Sequence, residues 1–151
     1  MRDPTPRPSD PLEVANRLRP VLLHLSRPVR RELGTLGVTA GQVSLLAAIH
    51  GTPGVGVGEL AAREAMSAPA VCGHLDRLEA GGLVARERAT GGDRRRVGLT
   101  VTEAGEEVLR AARTRRTAWL AERLRRVPDD DLELIDRAAT ALRRLLDEAQ
   151  P

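Results

Sequence analysis

A mainly helical fold, with a winged helix-turn-helix domain set between N- and C-terminal dimerisation helices, is what this sequence predicts, and three observations carry the prediction. Two short apolar-faced helical patterns, Glu59–Ala65 and residues 67–80, are joined by a tight turn and followed at once by a hairpin pattern. Apolar residues recur at gaps of three and four over long stretches at both ends of the chain. The apolar residues are almost all aliphatic, since Trp119 stands alone with no Phe and no Tyr. At 151 residues the chain is one domain long. Its expected division is a lead-in over 1–10, dimerisation helices over 11–33 and 103–148, and the winged lobe over 34–102.

Taken in order, Met1 to Pro11 carries four prolines and no apolar run of signal-peptide type, so it reads as a disordered lead-in and a cytoplasmic protein is expected. Leu12, Ala15, Leu18, Leu22, Leu25, Val29 and Leu33 form one helical stripe. Pro20 and Pro28 fall inside it, and a mid-helix proline removes a ladder donor and clashes one turn back, so a kinked or segmented helix is expected. Gly34 and Gly37 end it. Thr39 is placed to cap a second helix through about Ile49, with Val43, Leu46 and Ala47 inward. Residues 51–56 are a loop by composition. Ser67 is placed to cap the helix of residues 67–80, whose Pro69 is tolerated in the first turn and whose Val71, Leu75 and Leu78 make a buried face. Leu83–Arg88 and Arg95–Val101 then alternate as strands around a glycine-bearing loop, the pattern of a wing. Thr102 is placed to cap a long helix towards Arg126. After Pro128, the triplet Asp129 to Asp131 suits the positive end of a last helix carrying Leu132, Ile135, Ala139, Leu142 and Leu146. That stripe and the first helix lie outside the winged unit, so their natural partner is a second copy of the chain.

Composition narrows the function. The mean hydropathy is −0.28 and no apolar run is long enough to span a bilayer, so no membrane partner is expected. The scarcity of aromatics argues against a stacking platform for single strands. All 24 basic residues are Arg, so the pI near 10.6 overstates a net charge of only +3. The distribution of charge says more than its sum. Residues 128–151 hold three Arg against seven acids, whereas Gly82 to Gly98 holds five Arg, at Arg86, Arg88 and Arg94 to Arg96, against two acids.

Guanidinium groups on a hairpin beside a Gly-Gly loop suit the negative potential of a narrow minor groove, with Asp93 in place to brace one of them. The plainer alternative is a solvated turn. On the second short helix, Ala70, Gly73, His74 and Arg77 are read as the face opposite the core stripe; His74 and Arg77 would meet bases or phosphates, and the small residues would permit close approach. The plainer alternative for His74 is a surface histidine without a role. Cys72 reads as a small buried hydrophobe, with a redox role as the minor alternative. Cys72 is the single cysteine, which excludes an intrachain disulfide framework. His24, His50 and His74 show no ligand spacing, and residues 51–58 lack the Lys of a phosphate-binding loop, so no metal, cofactor or enzymatic activity is expected.

The segments Gly37 to Gln42, Val57 to Glu64, Ser67 to Val71 and Leu75 to Val84, and above all Asp93-Arg94-Arg95-Arg96-Val97 followed by Val101-Thr102-Glu103-Ala104-Gly105, resemble the MarR family of winged-helix transcriptional regulators. The resemblance runs from about Leu12 to Leu146. It implies a homodimer formed by the first and last helices, on double-stranded DNA, with the recognition helix of residues 67–80 in the major groove and the wing of residues 86–98 in the minor groove. Read onto this chain, the resemblance and the residue types together give a DNA-contacting set of Ser67, Pro69, Ala70, Gly73, His74, Arg77, Arg88, Asp93, Arg94, Arg95 and Arg96. It further implies a repressor modulated by a small phenolic or anionic effector. Where the family commonly has hydroxyls and an arginine on the recognition helix, this chain has Ala70, Cys72 and Gly73. That departure favours the alternative expectation of a winged-helix protein-interaction module that has lost operator binding.

Overall fold

Three hydroxyl side chains set the helix starts that organise the fold. The Thr39 Oγ1 accepts from the Gln42 amide at 3.2 Å while Gln42 Oε1 accepts from the Thr39 amide at 2.7 Å, a reciprocal box that accounts for the burial of Gln42. The Ser67 Oγ accepts from the Ala70 amide at 3.4 Å. Thr102 Oγ1 accepts from the Gly105 amide at 3.1 Å and donates to the Gly82 carbonyl at 2.6 Å, so one side chain both starts a helix and fixes it to the preceding turn.

The structure, a computed structural model, describes residues 10–88 and 97–148. The order is α1 (Pro11–Arg31), a 3-10 turn (Gly34–Leu36), α2 (Ala40–Gly51), α3 (Val57–Arg63), α4 (Ala68–Ala80), β1 (Val84–Arg88), β2 (Val97–Val101), α5 (Glu103–Leu124) and α6 (Asp129–Glu148). Among the described residues no single helix is long and apolar enough to cross a membrane.

Of the kinked or segmented helix expected, segmentation does not occur: α1 is one uninterrupted helix containing both Pro20 and Pro28. The two missing amides would have met the carbonyls of Asn16 and His24, and both of those residues are exposed, so neither acceptor belongs to a buried residue. In α2 the inward set also differs from expectation: Ala47 is exposed, and Val43, Leu45, Leu46 and Ile49 are buried. The third helix starts and ends two residues earlier than its pattern suggests. Gly56 precedes its first turn, and Ala65 takes a left-handed conformation (φ 50°) that stops it, with the Met66 amide reaching back to the Ala61 carbonyl.

β1 and β2 pair antiparallel from Val84 opposite Val101 to Arg88 opposite Val97. The loop before α3 joins this hairpin. Gly54 donates to the Leu99 carbonyl at 2.8 Å, Leu99 donates to the Val55 carbonyl at 3.3 Å, and a β-bridge links Val55 to Leu99.

The chain divides into two compact units, one ending at Arg116 and one beginning at Thr117. The first holds an aliphatic core in which Leu45, Leu46, Ile49, Leu60, Val71, Leu75, Leu78 and Leu99 are fully buried, with a satellite of Leu33, Val38, Val43 and Ala112. The second comprises the end of α5 and α6. There the Arg123 guanidinium lies 3.5 Å over the Trp119 ring, and Leu132, Leu134, Ile135, Leu145 and Leu146 are exposed.

Candidate nucleic-acid interface

Leu60 of α3 and Val71, Leu75 and Leu78 of α4 are buried in one core, which locks the two helices across the turn formed by Glu64 to Ser67. With that stripe inward, a turn of 100° per residue decides what α4 offers to the outside. Pro69, Ala70, Cys72, Asp76 and Arg77 are exposed, and Ser67 is exposed at the N-terminus. Gly73 lies opposite the stripe, and a Cβ built on it would meet nothing within 4 Å. A glycine in the middle of a helix costs about 1 kcal/mol relative to alanine, and no contact among the described residues requires it.

Two sequence expectations differ from what α4 presents. His74 is half-buried and turned inward: its Nε2 would lie 3.2 Å from a Cβ placed on Gly41 of α2, with the Met66 methyl beside it, and its Nδ1 is buried without a hydrogen-bond partner. At 100° per residue His74 sits only about 70° from the centre of the buried stripe, so it flanks the core and does not oppose it. Cys72 is exposed, not the buried hydrophobe expected, because the single step from Val71 rotates it away from the core. Asp76 was not singled out by its sequence, though its helical phase places it on the outward face.

The hairpin follows α4 through Gly81, Gly82 and Leu83. Gly82 takes a left-handed conformation (φ 69°), and the Leu83 amide donates to the Leu78 carbonyl at 2.8 Å. Arg86, counted by sequence with the basic excess of the wing, is already engaged. Its Nε lies 2.8 Å from both carboxylate oxygens of Glu79, and its guanidinium reaches Asp76 at 3.7 Å. Arg88 ends β1; Asp93, Arg94, Arg95 and Arg96, named from sequence as the wing contacts, lie outside the described residues.

A cavity of about 310 Å³ lies where the end of α2 meets the first turns of α5, lined by His50, Glu106, Leu109, Arg110 and Arg113. His50 Nδ1 is 3.8 Å from Glu106 Oε1. Among the described residues no group of three or more His, Cys, Asp or Glu side chains is arranged to hold a metal ion.

A family model described as MarR family matches residues 36–96, the span from the 3-10 turn into the wing. An uncharacterised HTH-type transcriptional regulator of Mycobacterium leprae (strain TN) is 30% identical over 136 residues, covering 90% of this chain and 94% of that protein. Among solved structures, a transcriptional regulator from Pseudomonas aeruginosa PA01 is similar at 27% identity with a TM-score of 0.75, covering 92% of this chain and 97% of that one. A Mycobacterium tuberculosis MarR family protein is similar at 25% identity with a TM-score of 0.70, covering 89% and 96%.

Proposed function

Because the chain belongs to the MarR family of transcriptional regulators, which are not enzymes, we propose that it is a repressor that binds a pseudo-palindromic duplex operator as a homodimer, with α4 in the major groove. The observation that carries this reading is the outward face of α4. Small Ala70 and an unencumbered Gly73 leave room for close approach, while Ser67, Pro69 and Arg77 are exposed around them. We assign Arg88, Asp93, Arg94, Arg95 and Arg96 to the wing contacts on the sequence pattern. His74 serves from the inner side of α4, seating the helix on α2.

The apolar side chains of α1 and α6 support the dimer. Leu12, Val21, Leu22, Leu23, Ile135, Leu145 and Leu146 are large and exposed, and a second copy is the economical way to cover them. The cavity beside Arg110 and Arg113 suits a small anionic effector, since two guanidinium groups and His50 line it against a single carboxylate.

The test is selection of duplexes from a randomised pool by the full-length protein, followed by titration at several salt concentrations. An enriched inverted repeat is expected, with the Arg94→Ala, Arg95→Ala double variant binding it more weakly and with a salt slope reduced by about 1 per lost phosphate contact. A pool without any enriched sequence would instead support a winged-helix protein-interaction module, the reading that the apolar Ala70, Cys72 and Gly73 favour.

A further inference from the structure

We propose that Arg86 is a positioning residue, a clamp that fixes the wing hairpin to the recognition helix through Glu79 and Asp76, and not one of the groups that meets DNA. The inference deepens the DNA-binding reading and rests on it for its consequence. Its geometry stands independently.

Arg86 lies in the middle of β1, and Glu79 lies in the last turn of α4. The Arg86 Nε at 2.8 Å from each Glu79 oxygen makes a bifurcated charge-assisted contact, and the far end of the guanidinium extends 3.7 Å to Asp76, one turn back along the same helix. One side chain thus touches two successive turns of α4 from the strand. The covalent joint between the two elements is the short run Gly81-Gly82-Leu83, whose glycines impose little stiffness of their own. The hairpin is held at β2 by the bridge from Val55 to Leu99, so the Arg86 contact ties β1 directly to α4 by side chains and limits its tilt. Glu79 is the most sheltered of the three, with 29% of its side chain exposed against 41% for Arg86 and 73% for Asp76. That shelter and the divided contact distinguish this pair from a lone surface ion pair.

The clamp also changes the electrostatics of the interface. Asp76 and Glu79 are carboxylates on the helix assigned to approach a polyanion, and Arg86 neutralises them from the side. A purely electrostatic role and a positioning role therefore make opposite predictions for Glu79→Gln. Removing that negative charge, if charge alone mattered, would tighten DNA binding. If Arg86 needs Glu79 to hold the hairpin, binding weakens.

The experiment titrates the wild-type protein, Arg86→Ala, Arg86→Lys and Glu79→Gln against the duplex enriched by the wild type, and follows amide hydrogen exchange of the DNA-free proteins. We expect Arg86→Ala and Glu79→Gln to bind about three- to tenfold more weakly with the salt slope unchanged, and Arg86→Lys, which keeps the charge but loses the planar fork, to recover only part of the loss. The β1–β2 amides of both weakened variants exchange faster than wild type while those of Leu45, Leu46 and Leu75 keep their protection. Equal or tighter binding by Glu79→Gln, or a flatter salt slope for Arg86→Ala, overturns the clamp in favour of a charge or phosphate contact. If no duplex is enriched, the DNA-binding reading fails by itself, and the exchange measurement still decides the clamp: unchanged hairpin exchange in both variants refutes it.

Discussion

At the scale of single residues, α4 separates what the fold needs from what it leaves exposed for the proposed interface. Val71, Leu75 and Leu78 are buried without residual exposure, and their truncation would be a packing loss and nothing more specific. Gly73 is the opposite case. Its surroundings are empty, so Gly73→Ala is expected to stabilise the fold by about 0.5–1 kcal/mol through better helix propensity, measured as a raised denaturation midpoint. The same methyl group stands where the duplex is proposed to approach, so operator affinity should fall while stability rises. A variant that gains stability and binds as well as wild type would remove Gly73 from the interface. His74 lies on the flank of the core stripe and not opposite it. Its spacing from Val71 places it beside the core, and the glycine at position 41 of α2 is where its ring fits.

The elements depend on a few close approaches between backbones. Gly98 of β2 passes the loop before α3 so closely that an added Cβ would stand 2.7 Å from the Gly54 Cα and 3.0 Å from its carbonyl oxygen. Gly105 in the first turn of α5 is tighter still, with a Cβ 2.2 Å from the Leu83 carbonyl oxygen and 2.6 Å from Val101 Cγ1. The nearest neighbour in both cases is backbone, Gly54 for Gly98 and Leu83 for Gly105, so the backbone itself must move. Gly105→Ala and Gly98→Ala are each expected to destabilise the protein by roughly 1–3 kcal/mol, seen as a lower urea midpoint with an unchanged slope. Ala65 makes the reverse case in the turn between α3 and α4. Its left-handed conformation costs an L-residue about 1 kcal/mol, so Ala65→Gly should raise the midpoint, and a lowered midpoint would show that the turn tolerates alanine without strain.

For the whole molecule, the question is how a chain with so much exposed aliphatic surface is kept from indiscriminate association. The exposed Leu and Val side chains of α1 and the exposed Leu and Ile side chains of α6 belong to amphipathic helices that also carry many charges, which suits the proposed dimer surface. The double variant Leu22→Glu, Ile135→Glu is expected to sediment as a monomer with its helical content retained. Burying each such side chain contributes about 1.5–3 kcal/mol, so four lost per dimer raise the dissociation constant by at least about ten-thousandfold. A variant that stays dimeric would place the interface elsewhere.

Much of this was legible in the sequence. Thr39, Ser67 and Thr102 announce helix starts because a hydroxyl satisfies amides two or three residues on, an interaction confined to neighbours in the chain. The inward stripe of α4 and the hairpin after it follow from periods of 3.6 and 2, which are likewise local. The near absence of aromatics fixed an aliphatic core in advance. Tertiary structure alone decided the rest, because the rest concerns residues brought together across the chain. Whether the charge of Arg86 is available depends on Glu79 and Asp76 in a different element. Whether glycine is required at 98 and 105 depends on the backbones of Gly54 and Leu83 passing alongside. Whether α1 runs on through its two prolines was likewise decided by the folded chain, where the residues one turn before each proline are exposed. A pattern in one dimension reports which groups are present; only the folded chain reports which of them are already satisfied.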